Sequence, residues 1–186
     1  MPIDDPLQGA RRILVYGVTG SGKTTLARQI SRATSIRWYS VDDLTWEPGW
    51  VTVAKDEQRR RIRRICGKAE WLLDTAYGTW LDIPLARVEL VVALDYPPWF
   101  SLQRLLRRTV ARVVDKRTLC NGNTETVRSA LSRESILVWH FRSFKRKRAR
   151  IRTWIRQADG PRVLRLTTAG QTRELLNSLS SYAVER

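Results

Sequence analysis

Short apolar segments recur along the chain, and the intervals between them are long enough for helices. They occupy residues 11–16, 36–41, 71–74, 90–95 and 162–166. Two of them, WLL at 71–73 and LVVAL at 90–94, are apolar at every position. Such runs are typical of parallel strands that are covered on both faces. We therefore predict five buried strands in one parallel sheet.

The segments between the strands carry apolar residues at helical spacing. One helix, over about residues 55–70, presents the apolar residues Ile62, Ile65, Cys66 and Ala69. A second, after Pro97 and Pro98, presents Trp99, Leu102, Leu106, Val110 and Val113. Further helices are predicted up to about residue 32, over 124–144, over 145–157 and from about 171, with an aromatic turn at 46–50. Strands that alternate with helices predict one α/β domain over residues 1–186, a doubly wound, five-stranded parallel sheet.

The composition narrows the class of protein. The chain has 186 residues, 42% of them hydrophobic, and only two cysteines, Cys66 and Cys120. One domain of this length can form its core without metals or disulfides. Two distant cysteines and a polar N-terminal segment fit reduced thiols rather than a secreted disulfide framework. No apolar run approaches the roughly 18 residues that a membrane span requires, so we expect a soluble, cytoplasmic protein.

One segment carries a motif with a clear mechanism. GVTGSGKT matches G-x-x-x-x-G-K-[ST] and stands between a predicted strand and a predicted helix. Glycines there allow backbone N–H groups to approach a phosphate at a helix N-terminus, Lys23 is placed for the β- and γ-phosphates, and the Thr24 hydroxyl is placed for Mg²⁺. The predicted phosphate-binding residues are Gly17, Thr19, Gly20, Ser21, Gly22, Lys23, Thr24 and Thr25. The alternative, a turn that binds nothing, requires neither the two spaced glycines nor a lysine beside a hydroxyl.

Acidic residues follow several of the predicted strands. Ligands of open α/β sheets bind at the carboxyl ends of strands, which makes acids there candidates for metal and acceptor chemistry. We expect Asp74 to hold Mg²⁺ through a coordinated water, and Asp42 or Asp43 to orient or deprotonate an acceptor hydroxyl. Asp95, before Tyr96-Pro97-Pro98, is expected to cap a turn or helix instead.

Arginines are further candidates for the site that the glycine-rich loop and the strand-end acids would form. The net charge is +16, and residues 101–165 hold 18 Lys/Arg against 4 Asp/Glu, so +14 of it lies there. Arg108 and Arg112 lie four residues apart on a helix face that Arg104 begins, and Arg117 follows in a predicted loop. Such residues could stabilise phosphoryl transfer from a closing lid, or form a solvated basic face. For residues 145–152, KRKRARIR, we favour the solvated face, and nucleic-acid binding is an open alternative.

The segments GVTGSGKTTLAR, VDDLTWEPGW, WLLDTAY, VVALDYP, RLLRR, CNGNTET and SILVWHFRSF occur in this order over about residues 11–170. In this the chain resembles the adenylate-kinase-like P-loop proteins known as topology modulation proteins, or FlaR-like proteins. Similarity to nucleoside-monophosphate kinases and shikimate kinases implies an ATP site at 17–25, an acceptor pocket around 42–50, a helical, arginine-rich lid at about 107–128 and an adenine contact at 168–170. Thr75-Ala76 after Asp74 departs from the glycine that adenylate kinases have there, which argues against adenylate kinase activity.

Two functions follow. The first is an ATP- and Mg²⁺-dependent kinase that transfers a γ-phosphoryl group to a small-molecule acceptor, with Lys23, Asp42 or Asp43, Arg108, Arg112 and Arg117 at the reacting groups. The second is a nucleotide-dependent nucleic-acid binder or switch that uses the basic C-terminal half of the chain.

Overall fold

A computed structural model describes residues 6–115 and 134–184. The elements in chain order are β1 (Arg12–Gly17), α1 (Lys23–Thr34), β2 (Trp38–Tyr39), α2 (Val41–Thr45), β3 (Trp46–Glu47), a 3-10 turn (Pro48–Trp50), β4 (Val51–Thr52), α3 (Lys55–Cys66), β5 (Trp71–Leu73), α4 (Asp82–Leu85), β6 (Leu90–Leu94), α5 (Pro98–Asp115), α6 (Glu134–Arg156), β7 (Arg162–Leu166) and α7 (Ala169–Val184). Within these ranges no helix is both long and apolar enough to pass through a lipid bilayer.

The central sheet is parallel and has five strands in the order β2-β5-β1-β6-β7. Leu14 of β1 lies opposite Leu73 of β5 on one side and Val91 of β6 on the other. The chain moves from β1 towards β2 in one direction and later crosses to β6 and β7 in the other. Its winding therefore reverses beside β1, and a ligand crevice is expected at the carboxyl end of that strand. The predicted fold class is confirmed.

Alternate residues of β1 pack into two hydrophobic cores, one on each face of the sheet. Ile13 and Val15 belong to the core that α1 and α7 cover, with Leu26, Ile30, Leu175 and Leu179. Leu14 and Tyr16 belong to the core that α3 and α6 cover, with Ile62, Ile65, Ile151 and Trp154. Both faces of β1 are thus buried, which explains its unbroken apolar sequence.

The two helices predicted at 124–144 and 145–157 are, over the described residues, one helix. Helix α6 runs without interruption through the predicted junction at residues 144–145 and ends at Arg156, before Gly160 and Pro161. Neither glycine nor proline stands at that junction, and Lys and Arg are good helix formers. Phe144, Ile151 and Trp154 keep the helical spacing of buried positions across it. Residues 124–133 of the first prediction lie outside the described residues.

The predicted strand at 36–41 is much shorter in the structure, because Ser40 starts a helix. The Ser40 hydroxyl accepts a hydrogen bond from the Asp43 amide at 3.4 Å and caps α2. Asp42 and Asp43 therefore lie in the first turn of α2 rather than at the end of a strand. The aromatic turn at 46–50 is an antiparallel pair, β3 and β4, in which Gly49 has a φ of 77°.

Asp95 connects three elements instead of capping the turn at which we expected it. Its side chain is 2% exposed, and its carboxylate accepts hydrogen bonds from Arg165 of β7 at 2.6 and 2.8 Å. The guanidinium of Arg148, from α6, lies 3.4 Å from the other carboxylate oxygen. The ion pairs fix α6 against the ends of β6 and β7.

Asp95→Ala is expected to lower the free energy of unfolding by about 1–3 kcal/mol. Loss of the carboxylate leaves two guanidinium groups next to each other without their anion. Each of these arginine side chains is about one-third exposed (34% and 37%), so water limits the loss of unfolding free energy. Chemical denaturation measures the change. The control is Asp82→Ala, which removes an exposed carboxylate (62%) that pairs with both terminal guanidinium nitrogens of Arg59 and should leave the unfolding free energy almost unchanged. Equal losses in the two variants would contradict the role of Asp95.

Candidate functional site

The loop between β1 and α1 brings a helix N-terminus to the carboxyl edge of the sheet. Gly20 and Gly22 have φ values of 82° and 94°, and α1 begins directly after Gly22. The Ser21 amide and hydroxyl both donate to the Val18 carbonyl, at 3.3 and 2.8 Å, and close the loop into a tight turn. Gly22 offers no side chain to the first N–H groups of α1, so these groups can donate to an anion.

The loop also lies in direct contact with β6 and α5. A Cβ atom added to Gly17 would lie 2.8 Å from the Leu94 carbonyl oxygen, and one added to Gly20 would lie 2.4 Å from that of Ser101. Both distances are shorter than real Cβ contacts. Glycine is therefore required at these positions for packing, and at Gly20 also for its backbone conformation.

Lysines from two elements converge on the start of the loop. The Lys23 amine donates to the Val18 carbonyl at 2.9 Å, and the Lys147 amine, from α6, donates to the Gly17 carbonyl at 2.8 Å. A third cation, the exposed Arg104 of α5, lies over the loop: its guanidinium is 3.4 Å from the position of a Gly22 Cβ and 5.4 Å from the Phe100 ring centroid. These three cations therefore lie close to the loop that precedes the N-terminus of α1.

Asp74 lies beside the first turn of α1. It is 4% exposed, its carboxylate accepts the Val41 amide at 3.0 Å, and it shares a hydrogen bond with the Thr24 side chain. Burial raises the pKa of Asp74, and these hydrogen bonds and the Lys23 charge partly oppose the effect.

A hydroxyl and a carboxylate in contact are oxygen donors of the kind that Mg²⁺ takes. Thr24 and Asp74 fit that requirement. The described residues contain no cluster of three or more His, Cys, Asp or Glu side chains that could enclose a metal ion. A site built from these two residues would thus leave most of the coordination sphere to water and phosphate, which is usual for Mg²⁺.

The structure distinguishes between the two neighbouring aspartates. The Asp42 carboxylate accepts a hydrogen bond from the Tyr77 hydroxyl at 2.8 Å and interacts electrostatically with Asp74 and Lys147. Asp43 is also exposed, but its amide is held by Ser40. Burial, and after it the Asp42 carboxylate, raises the pKa of Tyr77, so the phenol keeps its proton and remains a donor. Asp42 is therefore linked to the loop region through identified contacts.

The predicted lid arginines are only partly within the described residues. Arg108 and Arg112 lie along α5, one and two helical turns beyond Arg104. Arg117 lies outside the described residues, and so does the segment 116–128 of the predicted lid.

An apolar cavity of about 240 Å³ opens on the other side of the loop, where β6 and β7 end. It is lined by Tyr96, Pro97, Trp99, Phe100, Thr167, Thr168 and Ala169. Two of the lining residues, Thr168 and Ala169, fall within the predicted adenine contact at 168–170. A cavity of about 400 Å³ at Gln8, Gly9, Ala10, Glu89 and Arg162 lies at the amino ends of the strands, remote from the loop.

Sequence reasoning missed three contributors: Lys147, Tyr77 and Arg150, which donates to the Tyr16 hydroxyl at 3.1 Å. We expected residues 145–152 to form a solvated basic face. That interpretation is wrong for Lys147, Arg148 and Arg150, because each contacts the sheet or the residues that follow it. The spacing of residues in the sequence could have identified Lys147. Lys147 stands four residues before Ile151 and seven before Trp154, and so lies on the buried side of the helix.

Comparisons with known proteins define the fold. No protein-family model matches the chain, and no curated protein matches it in sequence. Solved structures do match: a gluconokinase from Sinorhizobium meliloti 1021, with 16% identity over 94% of each chain and a TM-score of 0.52; a deoxyadenosine kinase from M. mycoides with bound dCTP, with 15% identity over 91% of this chain and 98% of that one and a TM-score of 0.52; and a shikimate kinase from Bacteroides thetaiotaomicron, with 12% identity over 96% and 100% and a TM-score of 0.51.

These similarities establish that the chain has the fold of P-loop kinases, as the motif and the strand order predict. At identities of 12–16% they concern the fold alone. They support the general resemblance to nucleotide-kinase-like P-loop proteins, and membership of the topology modulation family stays a prediction.

Gly20→Ala is expected to destabilise the protein more than Gly9→Ala does. Both glycines have positive φ, 82° and 74°, so both variants incur the cost of that backbone conformation, about 1–2 kcal/mol. Only Gly20 adds the contact with the Ser101 carbonyl, since no atom lies within 4 Å of a Gly9 Cβ. Thermal unfolding compares the variants. Equal shifts would show that α5 does not press against the loop.

Asp74→Asn is expected to stabilise the ligand-free protein at neutral pH. The pKa of Asp74 is raised in the folded state, so the folded state loses stability as pH rises through that pKa and the buried carboxyl ionises. Asparagine keeps an acceptor for the Val41 amide without the charge. Its advantage should be absent near about pH 4 and reach a few degrees in Tm at about pH 7. Thermal unfolding across this range tests the sign, and a variant less stable at pH 7 would contradict it.

Proposed function

We propose that the protein is an ATP- and Mg²⁺-dependent phosphotransferase that moves the γ-phosphoryl group of ATP to a small-molecule acceptor. One observation carries the proposal. The loop after β1 combines positive φ at Gly20 and Gly22, Lys23 at the start of the helix, and a Thr24 hydroxyl in contact with the buried Asp74. A binding site for a polyphosphate and a divalent cation needs these groups together.

The loop and the first turn of α1 are proposed to hold the phosphates. The residues concerned are Gly17, Thr19, Gly20, Ser21, Gly22, Lys23, Thr24 and Thr25. The amides would donate to the phosphate oxygens, and Lys23 would move from the Val18 carbonyl to the β- and γ-phosphates. Thr24 would hold Mg²⁺ directly and Asp74 would hold one of its waters; the ion would supply positive charge that neutralises the phosphates.

The apolar cavity beside β6 and β7 is proposed to take the base of the nucleotide. Tyr96 and Phe100 pack edge to face there at 5.0 Å, and Thr167 and Thr168 add polar atoms at its rim. A mostly apolar cavity with a few hydrogen-bonding groups suits a purine. A nucleotide whose base lies in this cavity would extend past the loop towards Asp42.

The acceptor is proposed to bind beside α2 and the 46–50 segment, where Asp42 would accept the proton of its hydroxyl. Asp42 is favoured over Asp43 because the Tyr77 hydroxyl fixes its carboxylate and because it interacts with Asp74 and Lys147. The hydroxyl oxygen would attack the γ-phosphorus while ADP departs. Arg108, Arg112 and Arg117 are proposed to stabilise the charge on the transferred group.

A nucleic-acid-binding role is less well supported. The three solved structures named above are small-molecule and nucleoside kinases. In addition, Lys147, Arg148 and Arg150 of the basic segment contact Gly17, Asp95 and Tyr16. These contacts reduce the number of cations that the segment presents to a polyanion in solution.

Lys23→Ala is expected to weaken binding of MgATP by about 100-fold or more and to abolish phosphoryl transfer, because it removes the lysine proposed to contact the β- and γ-phosphates. Calorimetry measures the affinity. A screen of nucleosides, nucleotides and hydroxylated metabolites for acceptor-dependent ADP release measures the activity and identifies the acceptor.

The matched control is Lys55→Ala, an exposed lysine at the start of α3, which should leave both quantities unchanged. Unchanged affinity in the Lys23 variant would refute its role. Failure of the unmodified protein to bind any purine triphosphate in the presence of Mg²⁺ would refute the proposed function as a whole.

A further inference from the structure

Helix α6 places a second lysine at the loop, and nothing in the loop motif requires it. The Lys147 amine donates to the Gly17 carbonyl, and the Lys23 amine donates to the carbonyl of the next residue, Val18. Two ammonium groups from distant parts of the chain thus contact consecutive peptide units where β1 enters the loop. An ammonium group has three donors, so one carbonyl leaves donors of Lys147 for a further acceptor.

The surroundings of Lys147 carry an excess of positive charge. The side chain is partly buried, with its amine 5.4 Å from the Tyr16 ring centroid. The charged groups that act on it are Lys23 of α1, Arg146 and Arg150 of α6, and Asp42 of α2. Three cations face one carboxylate. A cationic group held among other cations at low exposure is unfavourable on its own and becomes favourable when an anion binds beside it.

The position of α6 shows which end of a nucleotide Lys147 would meet. Ile151 and Trp154 belong to the hydrophobic core that also includes Val41 and Ala76, with Tyr77 packed against it, so α6 approaches the loop from the side of Asp42. The apolar cavity proposed for the base borders the other core, through Tyr96. Lys147 and the base cavity therefore border different cores, and the terminal phosphate of a nucleotide whose base lies in that cavity would be directed towards Lys147.

We propose that Lys147 is a second phosphate-binding lysine that contacts the γ-phosphate of the bound triphosphate and so distinguishes ATP from ADP. The inference rests on the proposed function. It assigns to α6 a direct part in triphosphate recognition, separate from the arginines of α5. No bond is made or broken by Lys147; it supplies a positive charge and hydrogen-bond donors to the oxygens of the transferred group.

A titration effect gives the inference an independent readout. Burial lowers the pKa of Lys147, and Lys23, Arg146 and Arg150 lower it further, while Asp42 opposes them. A phosphate beside the amine acts in the opposite direction and raises the pKa again. Binding of the triphosphate should therefore take up a proton at alkaline pH, and binding of the diphosphate should take up less.

The competing interpretation is that Lys147 only attaches α6 to the loop. Other contacts already hold α6 in place, since Ile151 and Trp154 are buried against the sheet and Arg148 pairs with Asp95. A simple attachment would contribute to the stability of the protein and would affect the binding of ATP and ADP equally.

The test is calorimetric titration of the 186-residue chain with MgATP and with MgADP. Lys147→Met should weaken ATP binding by about 10- to 100-fold and ADP binding by less than about 3-fold. Lys145→Met, which removes an exposed lysine from the same helix, is the matched control and should leave both affinities unchanged. Equal losses for the two nucleotides, or no loss, would overturn the inference.

Lys147→Arg keeps the charge and cannot release a proton at these pH values. It should preserve most of the preference for ATP and abolish proton uptake, measured at about pH 9 in two buffers of different ionisation enthalpy. If Lys147→Met does not fold, this comparison decides the question: proton uptake by the unmodified protein that disappears in Lys147→Arg supports the inference, and its absence overturns it. Normal binding of both nucleotides with no effect of Lys147 would leave the proposed function intact, whereas failure of the unmodified protein to bind either would refute that function.

Discussion

The close approach of one loop to its neighbours is the constraint on which this structure depends. The loop after β1 passes so near the carbonyl oxygens of Leu94 and Ser101 that no side chain fits at Gly17 or Gly20. The contact fixes the first turn of α1 at the edge of the sheet, where the winding reverses. Because helix N-terminal amides are unsatisfied by the helix itself, this position concentrates donors in a crevice between the strand ends.

The strands on either side of β1 give the two walls of this crevice different chemistry. On the β6–β7 side the wall is aromatic and apolar, with Tyr96 and Phe100. On the β5–β2 side it is acidic and hydrogen-bonded, with Asp74 buried and Asp42 held by Tyr77. The residues of β1 alternate between the two cores, so a single strand aligns both walls with the loop.

Several cationic side chains of α6 contact polar groups within the protein. Arg148 and Arg165 flank the buried Asp95, Arg150 donates to the Tyr16 hydroxyl, and Lys147 reaches the Gly17 carbonyl. These contacts tie the C-terminal half of the chain to the ends of β1 and β6. Burial of cations is unfavourable unless acceptors or anions accompany them, and here the Asp95 carboxylate, the Tyr16 hydroxyl and the Gly17 carbonyl fill that role.

The sequence alone determined the five strands of the central sheet, their parallel arrangement, the α/β class and the loop, because apolar runs and the glycine-lysine spacing are local properties of the chain. It did not determine α2, since the Ser40 cap competes with strand continuation over only a few residues. Nor did it separate Asp42 from Asp43, or Lys147 from its basic neighbours. Those distinctions depend on Tyr77 and Gly17, residues 35 and 130 positions away in the chain, and only the packing of α6 and of the segment after β5 brings them into contact.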